Sequence, residues 1–125
     1  MKHLTLHIKD TNLGKIQAYA VAKSTDSYPA KECVDTQFNI KGYVLAETEI
    51  LDDETGENTN GTSLSILTTD EHVIGTNSKT IINNLKELIE MVNDDETLKL
   101  EDITCKIATG KAKSGNTFYS LDVVI

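Results

Sequence analysis

Leu4, Leu6 and Ile8 alternate with Thr5, His7 and Lys9, a period of two that predicts a half-buried strand. The run GKIQAYAVA from Gly14 reads as a second strand, with alanines that weaken it. Residues 23–36 carry turn chemistry and the single proline, Pro29. The longest strand is expected over residues 37–50, with Phe38, Ile40 and Val44 facing inward and Lys41, Tyr43 and Leu45 facing out. Gly42 sits where a bend or bulge suits a curling sheet. A loop over 52–61 ends in Asn60-Gly61, a hairpin-turn signal. The strand after it, over 62–69, turns Leu64 and Ile66 inward. Asp70-Glu71 turns the chain into a short strand, HVIGT.

Periodicity then changes to that of a helix. Ile81, Ile82, Leu85, Leu88, Ile89 and Val92 make one apolar stripe between Ser78, a plausible N-cap, and the acidic stop NDDET. A closing hairpin pairs the alternation of Ile103, Cys105 and Ile107 with that of Tyr119, Leu121, Val123 and Ile125, across GKAKSGN. A helix between the third and fourth of five core strands is the order of an oligonucleotide/oligosaccharide-binding (OB) barrel. The expected fold is therefore mainly β: an OB-like five-stranded barrel with one helix between strands 3 and 4 and an extra N-terminal strand. An open α+β sheet with a helix on one face is the rival. At 125 residues the chain is expected to form one domain, 1–125.

Charge changes the picture more than composition does. The first 45 residues carry six Lys and four acids, residues 46–102 three Lys and fifteen acids, and the remainder three Lys and one acid. The net charge of −8 therefore comes from the middle of the chain, between two mildly basic ends. There is no Arg, which removes bidentate phosphate forks. No apolar run is long enough for a membrane-spanning helix. The N-terminal alternation is unlike a signal peptide, and two cysteines without a CxxC pair suit the reducing cytoplasm.

Little here resembles catalytic machinery. His3 and His7, four apart on a strand, lie about 13 Å from each other, too far for one metal ion. His72 stands alone at a turn, and no nucleophile has a recognisable base motif. Asp52 to Asn58 fails the calcium-loop pattern, with Gly56 at the fifth position and Glu57 at the sixth. The chain is read as no enzyme, with no metal and no cofactor. Aromatic and lysine side chains remain. Tyr28 and Lys31 lie in the first long loop, and Lys41 and Tyr43 on the outer face of the long strand. Lys106 and Phe118 lie on the off-core faces of the last two strands, and Lys111 and Lys113 at the final turn. On a barrel these eight converge on the face of strands 2 and 3 and its flanking loops. Lysine beside stacking aromatics is what single-stranded nucleic acid requires, because every base has a π-face.

Ser78-Lys79-Thr80 opening an amphipathic helix, Lys106 to Gly110, the turn Lys113 to Asn116, Phe118-Tyr119 and Ser120 to Val123 together resemble the single-stranded DNA-binding protein of phi-29-type, protein-primed phages. Leu13 to Ile16 is a weaker echo, and the likeness is best over the last fifty or so residues. It implies a protein that coats and protects displaced single strands, without sequence preference, during phage DNA replication in the bacterial cytoplasm. Its partners would be single-stranded DNA and replication proteins. The family is associated with tyrosines in the central strands, whereas Val44 to Thr117 contains no Phe, Tyr or Trp. That leaves Tyr43, Tyr28 and Phe118 as the expected stacking platform. The acidic middle also admits a second reading, a phage interaction protein that binds or mimics nucleic acid for a host protein.

Overall fold

A computed structural model describes residues 2–125, with side chains from Thr5 onward, so the His3 and Leu4 side chains lie outside the described residues. The chain is mainly β, a strongly curled half-barrel with two helices. In order it runs β1 (Lys2–Thr11), α1 (Lys15–Ala22), β2 (Tyr28–Pro29), a 3-10 turn (Ala30–Glu32), β3 (Gln37–Asp52) and β4 (Asn58–Thr68). Then come β5 (Val73–Thr76), α2 (Lys79–Asp94), a second 3-10 turn (Leu100–Asp102), β6 (Thr104–Lys111) and β7 (Thr117–Val123). Along the sheet the order is β2-β5-β4-β3-β6-β7, with β1 also on β3.

β3 organises the sheet because its 16 residues serve three neighbours. Gln37–Asn39 pair with β6, Ile40–Leu51 with β4, and Val44–Asp52 with β1, all antiparallel. The strand thus starts among the β6 residues and ends in a ribbon with β1 and the first half of β4. The hairpin turn between β3 and β4 is Asp53–Glu57, closed by Gly56 N–H to Asp52 C=O at 2.7 Å, with Gly56 at φ 72°. Asn60-Gly61, expected as the turn, instead pairs inside β4 with Glu49 and Thr48. The positive φ that a turn needs here is supplied four residues earlier, by Gly56. β5 takes β2 on its free edge through the parallel pairs Tyr28–Ile74 and Pro29–Gly75.

The expected strand over Gly14 to Ala22 is a helix, α1. Three alanines in eight residues favour a helix once a surface exists to receive Ala18 and Val21. That surface is the outer face of the sheet, where Ala18 and Val21 form a small second core with Val44 and Leu67, flanked by Leu13 and Val73. The larger core lies inside the curl. Phe38, Ile40, Tyr43, Leu64, Ile66, Cys105, Ile107 and Leu121 pack there against Ile81, Ile82, Leu85 and Leu88 of α2. Ser78 caps α2 by accepting from the Ile81 N–H at 3.3 Å, as expected. Asn84 Oδ1 accepts from Leu121 N–H at 3.0 Å, tying α2 to β7.

The register of β3 against β4 shifts between Ile40 and Gly42. One extra residue in a strand reverses the faces beyond it. Tyr43 therefore joins Phe38 and Ile40 inside, and Val44 turns out beneath α1, the opposite of the simple alternation. Tyr43 is only 6% exposed. Its backbone N–H donates to Asn12 Oδ1, its C=O accepts from Thr11 Oγ1, and its hydroxyl reaches Asp10 Oδ2 at 3.3 Å. Leu13 packs so closely over Gly42 that a Cβ there would lie 2.4 Å from Leu13 Cδ2. Glycine at the bulge thus also makes room for the loop that leads into α1.

Candidate nucleic-acid interface

The start of β3, the turn between β4 and β5, and the segment around β2 meet at one end of the curl. Between them lies an apolar groove of about 240 Å³, lined among others by Tyr28, Cys33, Gln37, Phe38, His72 and Ile74. Local chemistry places each part. Pro29 fixes the backbone after Tyr28, and the pairing of Tyr28 with Ile74 holds that short strand against β5. Buried Thr68 shapes the opposite wall: its Oγ1 accepts from His72 N–H at 3.1 Å, and its own N–H donates to His72 C=O at 2.8 Å. The two rings then meet edge to face, with Tyr28 and His72 centroids 5.7 Å apart at 71°. Tyr28 remains 47% exposed, so its ring has a free surface. Burial, and secondarily the charge of Glu32, raises the Cys33 thiol pKa, which keeps this groove residue neutral.

From the groove the wall continues onto the last hairpin. Val34 bridges to Ile107, the Asp35 N–H donates to the Ile107 C=O at 2.8 Å, and Gln37 pairs with Lys106. Cys105 and Ile107 are wholly buried, and burial pushes the Cys105 thiol pKa up to about 11. Lys106 therefore takes the other face of β6. Phe118 lies directly across from Gly110, and a Cβ at Gly110 would come 2.5 Å from Phe118 Cζ. The ring rests on bare backbone and is 41% exposed, an aromatic covering a strand glycine. Lys111 ends β6, and Lys113 lies in the turn with Gly115 at φ 88°.

Six of the eight expected site residues thus fall on two adjoining surfaces. Tyr28 and Lys31 lie on the segment along β5, and Lys106, Lys111, Lys113 and Phe118 on the final hairpin. Two do not belong. Tyr43 is core, because the bulge reversed its face. Lys41, left outside at the bulge, is bound to Glu71 across the turn. Lys31, Lys106, Lys111 and Lys113 form no ion pair among the described residues, so their charges are available to a ligand. The outer face of β4 and β5, barrel strands 2 and 3 and the expected ligand face, is occupied in part by α1. His72, which lines the groove beside Tyr28, is not among the residues expected from the sequence. A lone histidine at a turn has no signal of its own, and only the parallel pairing of β2 with β5 sets it beside Tyr28.

Asp70 also lines the groove, and Glu71 is taken up by Lys41, but six acids cluster elsewhere. Glu47, Glu49, Asp52, Asp53, Glu54 and Glu57 belong to the ribbon at the far end of β3. Along 16 residues of strand, that end is roughly 50 Å of chain path from Gln37. Within the ribbon Glu47 meets Lys9 at 3.5 Å, and Glu49 meets His7 at 3.8 Å.

The family model for phage single-stranded DNA-binding protein, phi29 type, matches residues 5–124. A single-stranded DNA-binding protein of Bacillus phage B103 is 30% identical over 103 residues, which cover 82% of this chain and 81% of the relative. No solved structure matches. The chain belongs to the phi29-type phage single-stranded DNA-binding protein family, a family of DNA-binding proteins rather than of enzymes.

Proposed function

We propose that this protein coats single-stranded DNA without sequence preference during phage DNA replication in the cytoplasm of the infected bacterium. In this role it protects displaced strands, and the phage replication proteins are its working partners. The fold is read as one OB-like domain over residues 1–125, formed by β3, β4, β5, β6 and β7 with α2 between the third and fourth of them. It is open between β5 and β7, with β2 laid against β5. The DNA-binding residues are Tyr28 and His72 in the groove, Lys31 beside it, and Lys106, Lys111, Lys113 and Phe118 on the hairpin. The observation that carries the reading is the exposed Tyr28–His72 pair in an apolar groove next to lysines without ion pairs. A base inserts against the rings, and the ammonium groups follow the phosphates.

Titration with fluorescently labelled oligo-dT and with a duplex of equal length, at two salt concentrations, tests this. Duplex binding is mostly counterion release, which a chain of net charge −8 supports poorly. Single strands add stacking worth about 1–3 kcal/mol per base. Oligo-dT is expected to bind clearly tighter than duplex, and equal affinities would contradict the proposal. The double change Lys111→Ala/Lys113→Ala should weaken binding and flatten the dependence on log[salt] by up to about 1.4, since each phosphate contact contributes roughly 0.7. An unchanged slope would remove both lysines from the interface.

Gly110→Ala gives a separate test of Phe118. The new methyl group occupies the space of the Phe118 ring tip, so the ring must swing away while the strand remains intact. Stability is expected to change by less than about 1 kcal/mol. Affinity should fall nearly as far as with Phe118→Ala. A Gly110→Ala protein that binds like the parent would show that no base rests on Phe118 in this position.

A further inference from the structure

β5 and β7 are not neighbours in the sheet, and the open seam between them holds a second groove of about 260 Å³. Its walls include Pro29, Lys31, Gly75, Thr76, Asn77 and Tyr119. This groove adjoins the Tyr28–His72 groove across a single strand pair. Tyr28 and its β5 partner Ile74 line the first, and Pro29 and its partner Gly75 line the second. We infer that the second groove seats the neighbouring nucleotide of the same DNA strand, with the Tyr119 ring as base platform, Lys31 on the phosphate and Asn77 on a polar base edge or sugar. This rests on the single-stranded DNA-binding reading and extends it to Tyr119 and Asn77, which that reading does not use, with Lys31 shared between the two.

The chemistry of the walls selects this occupant. Tyr119 is half-buried against the main core, which fixes its ring while leaving part of it to the groove. Phe118 and Tyr119 are successive strand residues and face opposite sides of β7, so they serve different parts of the strand path. Lys31 is exposed and without an ion pair among the described residues. The Thr76 hydroxyl already accepts from Ser78 N–H at 3.0 Å, whereas the exposed Asn77 amide has no partner among the described residues. A volume just below the roughly 300 Å³ lower bound of drug-sized sites suits one base rather than an oligonucleotide.

The test uses the full chain with oligo-dT of increasing length, and photo-crosslinking with bromodeoxyuridine oligonucleotides followed by peptide mapping. In the parent protein, crosslinks are expected at Tyr119 as well as at Tyr28 or His72. Lys31→Ala should weaken binding of the longer oligonucleotides several-fold and flatten the log–log salt slope by about 0.7, with little effect on the shortest that bind. Tyr119→Leu should weaken binding roughly five- to 150-fold, and Tyr119→Phe, which keeps the ring, should not. If Tyr119→Leu fails to fold, the parent crosslinks and Lys31→Ala still decide. Crosslinks confined to the first groove, with an unchanged salt slope in Lys31→Ala, overturn the second seat and leave the wider proposal standing. A parent protein that neither binds nor crosslinks to oligo-dT overturns both.

Discussion

Tyr43→Ala is expected to cost about 3–5 kcal/mol of stability, as truncation of a buried aromatic does. The ring is 6% exposed and packs with Phe38, Leu64, Ile66 and the inner face of α2. Its removal opens a cavity where β3 crosses the core. The same site joins β1 to β3, since Asp10, Thr11 and Asn12 all bond to Tyr43. Tyr43→Phe separates the terms. It keeps the packing and removes only the 3.3 Å hydroxyl contact with Asp10, so a loss of about 0.5–1.5 kcal/mol is expected. Urea melts of the two variants measure this, and oligo-dT titration of Tyr43→Phe should match the parent. An alanine variant that melts like the parent but binds DNA poorly would place the ring on the surface.

The phenol adds a pH readout. Burial, then the charge of Asp10, then the hydrogen bond to it raise the Tyr43 pKa above the ordinary value near 10. Its contribution to stability is thus fully present below that ordinary value and is lost as pH rises through the raised one. Alkaline absorbance titration should show a late phenol ionisation that accompanies unfolding and is missing in Tyr43→Phe.

The same residue shows where the sequence was legible and where it was not. Strands β3, β4, β6 and β7 and helix α2 were readable because each buries one face over many residues, and a long period outweighs local exceptions. The bulge at Lys41-Gly42 is one residue long, and everything after it on β3 changes sides. Gly42 marked a place where this was possible, but nothing local decides whether the extra residue is taken up. α1 was misread because alternating small residues fit either period. Its helical state is set by a partner surface made of Leu67 on β4 and of Val44, which the bulge turns outward. The two differences are therefore linked through Val44. They also explain why the ligand face was expected on the outside of β4 and β5, where α1 now lies.

The acidic middle of the chain has a similar lesson. As a linear stretch it argues against any nucleic acid, but it spans parts with different fates. Six of its acids lie on the ribbon at the far end of β3, while the lysines of residues 106–113 meet the segment around Tyr28 at the other end. Fields from exposed charges fade over roughly 8–10 Å at ordinary salt, so the acids at the far end of β3 act on the binding surface less than Asp70, which lines the groove. Net charge then reports on solubility and on the rejection of duplex, not on the local potential that a single strand meets.

Tyr28→Ala is expected to lose about 1–3 kcal/mol of DNA affinity, or roughly five- to 150-fold. Folding should barely change. The ring is 47% exposed and outside both hydrophobic cores, and the backbone pairing of residue 28 with Ile74 survives truncation. Surface changes of this kind usually stay within about 0.5 kcal/mol. His72→Ala tests the second wall. Edge-to-face pairs are worth about 0.5–1.5 kcal/mol, so the two substitutions should be non-additive in binding if the rings act as one platform. The double variant should then lose less than the sum of the single losses. Thermal melts and oligo-dT titrations of the four proteins complete the cycle. If Tyr28→Ala binds like the parent while Lys111→Ala/Lys113→Ala does not, the strand follows the β6–β7 hairpin alone and the groove beside it serves another ligand.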